Sequence, residues 1–247
     1  MADSPYVRIR EAEPEQRKQI YDEIYNRYIG EAATDSDNVS IPGARRRKRI
    51  LIYRSIIGAG HSAILEIGSG TGDLTCELAD LAENVVGIDI SDGSLKTARQ
   101  RALESRPGRH LEFLKMNAVE LELPDDSFDC AISTSMIEHL HPDDVGTHLR
   151  EVWRVLKPAG GRYLVWCPNR LGNHKDRPFH LSMLSHRDLA DKMRQAGFRE
   201  FRTPMFQGPP MVDARFKIFM EEFLSALHIK ILWSHLGVRN VLLVGTK

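Results

Sequence analysis

The sequence predicts an α/β fold, a doubly wound sheet of seven strands in one large domain. Apolar runs of strand length recur from residue 63 onward, segments of helical periodicity separate them, and the first run leads into a glycine-rich loop. Strands alternating with helices make a parallel sheet covered on both faces. Short, wholly apolar strands fit the same arrangement, because each face of the sheet is buried.

The 247 residues suffice for a substantial core, and 42% hydrophobic with 28% charged residues is the balance of a globular protein rather than a disordered or fibrous one. The formal net charge is zero, so no global field draws the chain onto nucleic acid or anionic lipid. The opening MADSPYVRIREAEPEQRK lacks the apolar core of a signal peptide, and no apolar run reaches membrane-spanning length. A cytoplasmic location without a membrane span is therefore expected. Cys76, Cys130 and Cys167 lie far apart in apolar stretches with no metal-ligand spacing, so buried reduced thiols and no metal are expected.

In chain order, residues 14–29 set Ile20, Ile24 and Tyr28 one helical turn apart between charges, an amphipathic helix. Residues 30–44, with Gly30, Pro42 and Gly43, read as a link, so residues 1–44 form a helical cap and 45–247 the main domain. The basic run RRRKR at 45–49 precedes an apolar-periodic helix (Ile50, Leu51, Ile56, Ile57) and reads as a solvated helix start. Strands follow at 63–67, 85–90, 111–116, 128–133 and 163–167, with helices at 73–82, 92–104, 143–156 and 185–196. The tail supplies strands at 198–206 and 239–246. Between them an insertion, 205–236, carries Met205, Phe206, Pro209, Pro210, Met211, Phe216, Phe219, Met220, Phe223, Leu224 and Trp233. Its apolar side chains suit a helix packed on the sheet, the wall of an apolar acceptor pocket, or a homodimer surface.

The loop reads Gly68-Ser69-Gly70-Thr71-Gly72-Asp73. A dinucleotide fingerprint, G-x-G-x-x-G, would have its third glycine where Asp73 stands. A pyrophosphate also favours bare N–H groups at a positive helix start, whereas here Glu66 precedes the loop and Asp73 follows it. Two carboxylates suit a phosphate-free ligand carrying an ammonium and a sulfonium, such as S-adenosylmethionine. Asp89 ends the next strand about twenty residues later, the spacing at which an acidic group reaches ribose hydroxyls.

Five ordered motifs, LEIGSGTGDLT (65–75), VVGIDIS (85–91), LKMNAVELELPDDSFDCAIS (114–133), MIEHLHP (136–142) and LREVWRVLKPAGGRYLVWCPN (149–169), resemble those of the class I S-adenosylmethionine-dependent methyltransferases, in particular the small-molecule branch that includes ubiquinone and sugar O-methyltransferases. The resemblance spans about residues 50–200. It implies a Rossmann-like seven-stranded sheet whose last strand is antiparallel, S-adenosyl-L-methionine as cofactor and S-adenosyl-L-homocysteine as product. It also implies that Gly68, Ser69, Gly70 and Gly72 hold the methionine part with Glu66 in support. Asp89 then binds the ribose and Ile90 packs on adenine, while Asn117 and Ala118 occupy the turn that reads the adenine amino group. Many relatives carry Asp where this chain has Asn117, whose amide oxygen can accept the same hydrogen bond without charge. Ser133 lines the wall beside the methionine.

A sulfonium methyl is already activated, so the protein's task is alignment and exclusion of water, worth about 7–11 kcal/mol. A hydroxyl acceptor also gains from a base, and histidine suits neutral pH. His139, His141 and His180 stand where the rim of such a site is expected, each with a capping or solvent-facing role as its alternative. The expected activity is methyl transfer to a small-molecule hydroxyl. Transfer to nitrogen or carbon, a non-catalytic cofactor-binding module, and more remotely a dinucleotide oxidoreductase are the alternatives. Nucleic acid is not an expected partner: no basic face is present, and Pro168-Asn169 stands alone after the fifth strand.

Overall fold

The computed structural model describes residues 5–26, 51–158, 160–171, 179–204, 211–226 and 240–247. The 30–44 link, the basic run 45–49, Tyr28, Ile50, Met205, Phe206, Pro209, Pro210 and Trp233 lie outside the described residues. The chain divides into two compact units, Met1–Leu123 and Pro124–Lys247.

The first unit begins with two helices, α1 (Pro5–Glu11) and α2 (Pro14–Ile24). Pro14 opens α2, where its missing N–H costs nothing, and Ile20, Tyr21 and Ile24 turn inward. Residues 51–57 are helical as well. Strands β1 (His61–Ile67), β2 (Ala82–Asp89) and β3 (His110–Lys115) lie parallel in the order β3-β2-β1. Ile64 pairs with Val85, and Val85 with Leu111. Ile64, Leu65 and Ile67 have no solvent exposure, each burial stabilising by about 1.5–3 kcal/mol. Helix α3 (Asp73–Leu78) follows β1 and α4 (Asp92–Ser105) follows β2. Ser91 caps α4 by accepting from the Ser94 N–H, and Leu95 and Ala98 of that helix pack on Phe113 of β3.

The second unit holds β4 (Cys130–Thr134), β5 (Arg162–Pro168), β6 (Arg199–Pro204), β7 (Met211–Asp213) and β8 (Asn240–Thr246), in the order β4-β5-β8-β6-β7. β4 and β5 are parallel, and β8 runs antiparallel to β5, as the family resemblance implies. The strands number eight among the described residues, not seven, because Met211–Asp213 returns antiparallel along β6. Three residues are too few for alternation to mark a strand, so the sequence places this edge within the insertion.

Helix α5 (Asp144–Val155) buries Val145, Leu149, Val152 and Val155, spaced as one helical face. Helix α6 (His186–Gln195) starts in a capping box made by Ser185 and Asp188. Helix α7 (Ala214–Ala226) occupies part of the insertion. Its inner face carries Ala214, Lys217 and Glu221, while Phe216, Phe219 and Phe223 are 50–60% exposed. Among the described residues the phenylalanine row of this helix faces outward and its charged pair faces inward. The three cysteines are free and buried, and burial pushes the Cys130 thiol up to about 12.

Candidate cofactor cradle and histidine cluster

In the first unit, β1 runs out at Ile67 and the loop stays pinned to the sheet, with the Gly68 and Ser69 N–H groups both donating to Ile88 O at 2.9 Å. Two glycines in the loop have different causes. Gly72 has φ +75, and a Cβ there would stand 2.8 Å from Ala98 Cβ, so close helix packing excludes any side chain. Gly70 has φ +51 and a Cβ on it would meet nothing within 4 Å. This opening beside the backbone is what a ligand lying on the loop needs.

The carboxylates divide by role. Asp89 Oδ2 accepts from the Gly70 N–H at 2.8 Å and Oδ1 from the Ser91 N–H at 2.9 Å. Each oxygen keeps a further acceptor position for a hydroxyl. Burial lifts the Asp89 carboxyl above its ordinary range, against the opposing pull of those N–H groups. Glu66 is 3% exposed and accepts from Thr75 Oγ1 of α3, which ties strand to helix. Asp73 Oδ2 lies 2.8 Å from Arg101 Nη1 and accepts from Thr71 Oγ1 at 3.1 Å. Arg101 also donates to Thr71 O. The Asp73 charge is therefore matched within the protein, so the acidic character read from the sequence rests on Glu66 and Asp89. Arg101 is 28 residues from Asp73 and one of two arginines on its helix, and no spacing rule pairs them.

Asn117 is 7% exposed, and its Oδ1 accepts from the Val119 N–H at 3.1 Å. That bond orients the amide and leaves Nδ2 buried without a partner in the structure, as is Ser69 Oγ. The amide oxygen keeps a second acceptor position for an adenine amino group, and the buried Nδ2 adds a donor suited to a ring nitrogen. An unmatched buried donor costs about 1–3 kcal/mol, and a nucleoside, rich in ring-nitrogen and ribose acceptors, would relieve that cost. Ile90 and Ala118 are half-buried. These residues fit an adenosyl ligand.

In the second unit, Ser133 is buried and its Oγ is 2.7 Å from Tyr163 Oη, which lies 2.8 Å from His148 Nε2. The Ser133 hydroxyl thus belongs to an internal chain, a role its sequence position did not reveal, and it does not stand free as wall lining.

β4 leaves through Ser135, a non-glycine residue at φ +51, into a 3-10 turn, Ile137–His139. The Glu138 backbone oxygen accepts from the Leu181 and Ser182 N–H groups at 2.7 and 3.0 Å, and Ser182 Oγ donates to Leu140 O at 2.8 Å. Those bonds clamp residues 179–182 onto the turn. His139 Nδ1 is 3.0 Å from Phe179 O. A carbonyl only accepts, so Nδ1 carries the hydrogen, and in the neutral ring Nε2 is the basic nitrogen. His139 stacks on Phe179 and meets His180 edge-on, at ring-centroid distances of 5.7 and 5.3 Å. The structure brings His139 and His180 together with the buried carboxylate of Glu138, whose ligand-type atoms all lie within 4.8 Å of theirs. His141 is not part of the group. Its Nδ1 accepts from the Asp143 N–H at 3.3 Å at the approach to α5.

A family model described as a methyltransferase domain matches residues 64–160. A Mycolicibacterium smegmatis protein described as a probable S-adenosylmethionine-dependent methyltransferase is 32% identical over 180 residues, 69% of this chain and 66% of that one. The chain belongs to the S-adenosylmethionine-dependent methyltransferases.

S-adenosylmethionine is the cofactor of that family. A ubiquinone/menaquinone biosynthesis C-methyltransferase (UbiE) of Hahella chejuensis is 38% identical over 133 residues, 53% of this chain and 52% of the relative. The chain thus spans about half to two thirds of the length of the curated relatives it matches. Among solved structures, the Burkholderia thailandensis 1,6-didemethyltoxoflavin-N1-methyltransferase, bound to 1,6-didemethyltoxoflavin and S-adenosylhomocysteine, superposes with a TM-score of 0.63 at 20% identity, covering 96% of this chain and 91% of that chain. At that identity the likeness shows the fold, the Rossmann-like class expected from the sequence. No helix among the described residues is long and apolar enough to cross a membrane.

Proposed function

We propose that this methyltransferase transfers a methyl group to a hydroxyl of a small-molecule acceptor. Gly68, Ser69, Gly70 and Gly72 with Glu66 cradle the methionine part of the cofactor. Asp89 takes the ribose hydroxyls, and Ile90, Asn117 and Ala118 take the adenine. When bound, S-adenosylmethionine supplies an activated methyl group and leaves as S-adenosylhomocysteine. The chain's own work is to orient the acceptor, exclude water and receive its proton. His139 receives it at Nε2, with His180 alongside. The observation that carries the hydroxyl reading is the bond from His139 Nδ1 to Phe179 O, which leaves Nε2 as the basic nitrogen. Domain division into a 1–44 cap and a 45–247 catalytic domain, a cytoplasmic location and a homodimer belong to the same proposal.

A second reading, transfer to a ring carbon, draws on the relatives named C-methyltransferases. Removing the proton from a phenolic hydroxyl also activates its ring carbons, so His139 would serve both outcomes. Methyl-13C-labelled cofactor with a panel of catechols, hydroquinones and aliphatic alcohols separates the readings by product NMR. Label on oxygen is the expected result. Label only on ring carbon establishes the second reading, and no labelled product across the panel removes both for these acceptors.

A further inference from the structure

We propose that Glu138, His139 and His180 form a divalent-cation site of the zinc type, with its remaining coordination positions open to an oxygen ligand. The donor set is one carboxylate and two imidazoles, whose three ligand-type atoms lie within 4.8 Å of one another. Two histidines and a glutamate with an open position are a donor set that holds catalytic zinc, and the same ligand types take other first-row dications. Ligands about 2.0–2.2 Å from an ion stand roughly 3–3.5 Å apart. Binding therefore draws the set together by roughly 1–2 Å at its widest, within reach of side-chain rotation.

Three further features fit a cation. His139 Nδ1 already donates to Phe179 O at 3.0 Å, the outer bond that metal-bound imidazoles make to fix the ring and aim the other nitrogen. The segment bearing His180 is fastened to the turn bearing Glu138 and His139 by three hydrogen bonds, from the N–H groups of Leu181 and Ser182 and from Ser182 Oγ. Two distant stretches are held in one place before any ion arrives. Glu138 is 1% exposed, and coordination to a dication offsets the cost of keeping a carboxylate out of water. Sequence spacing did not show the set, because the third ligand follows the adjacent pair after 41 residues.

The inference rests on the methyl-transfer reading only for its consequence: a bound cation would take His139 Nε2 as a ligand, so the base role proposed above belongs to the metal-free chain, and an acceptor oxygen on the cation would lose its proton to water. Cation binding itself is tested without cofactor or acceptor. The chelator-stripped full chain is titrated with Zn2+ by calorimetry and with Co2+ by visible absorption. One equivalent is expected to bind, with affinity falling at least tenfold in each of Glu138→Gln, His139→Ala and His180→Ala, and unchanged in His110→Ala at the exposed start of β3. Because Glu138 is buried and its variant can misfold, His180→Ala, checked by circular dichroism, decides. No stoichiometric binding by the wild type, or wild-type affinity in a folded His180→Ala, overturns the site. A chain that binds the cation and methylates nothing leaves this proposal standing and removes the other.

Discussion

Asp89 Oδ2 accepts the Gly70 N–H at 2.8 Å across 19 residues, so the acidic end of β2 holds the loop that follows β1. The same carboxylate that shapes the cradle faces the ribose in the proposed complex, and protonation would turn one of its acceptor positions into a donor and remove the charge that strengthens the others. Burial raises its protonation range above that of a free aspartate. S-adenosylhomocysteine affinity is therefore expected to fall on acidification at a higher pH than an ordinary aspartate would cause. Asp89→Ala should weaken binding at least tenfold at pH 7.5. Calorimetry at several pH values checks both. For stability the sign is opposite: a raised carboxyl stabilises the fold below its unfolded value, and that contribution is lost as pH rises through the folded value.

Gly72 and Gly70 separate packing from binding. Gly72→Ala places a methyl 2.8 Å from Ala98 Cβ at a positive φ, and thermal or urea unfolding should show a loss of about 1–3 kcal/mol. Gly70→Ala meets no neighbour. Its stability loss should be about 1 kcal/mol, with a larger effect on cofactor affinity because the methyl fills the cradle.

His139→Ala should lower turnover by about 10²–10⁴-fold while cofactor affinity stays within twofold, since in the proposed reaction the imidazole acts on the acceptor. His141→Ala should leave turnover within about threefold, its ring being held at the approach to α5 rather than in the cluster. Steady-state kinetics beside equilibrium titration separates the two quantities.

His186 Nδ1 lies 2.7 Å from Glu221 Oε1, both side chains shut off from solvent. Glu221 also accepts from Asn169 Nδ2 at 3.1 Å, and His186 Nε2 faces Thr203 Oγ1 and the Leu242 N–H, each at 3.4 Å. Burial holds the imidazole below its ordinary value. A depressed histidine gives stability above its unfolded value, near 6.5, which is lost as pH falls toward the folded value. Lys217, whose Nζ donates to Pro204 O at 3.0 Å, is pushed by burial down to about 8. The fold should therefore gain stability as pH rises from about 8 toward 10, and Lys217→Met should abolish that gain. Denaturant unfolding of both proteins across this range is the check.

Much of this was legible in the chain. Leu65–Thr75 reads as strand, turn and helix because apolar burial and glycine backbone freedom are local properties, and Asp89 is placed by its strand-end position and its spacing from the loop. Less legible were features set by tertiary contact. Arg101 cancels Asp73 from another helix, and Val119 turns the Asn117 amide so that its donor is left over. Helix α7 defeats simple patterning because the Lys217 and Glu221 side chains find Pro204 O, His186 and Asn169 inside, while its phenylalanines stay exposed. Composition marks the segment as apolar but not which face of the helix turns inward.

The central claim is that the loop from Gly68 to Gly72, with Asp89, holds an adenosyl ligand free of phosphate. Calorimetric titration of the purified chain with S-adenosylhomocysteine and, separately, with NADH tests it most directly. The account predicts one S-adenosylhomocysteine per chain, strongly weakened in Asp89→Ala, and no heat of binding from NADH. Saturable NADH binding without any response to S-adenosylhomocysteine would contradict it.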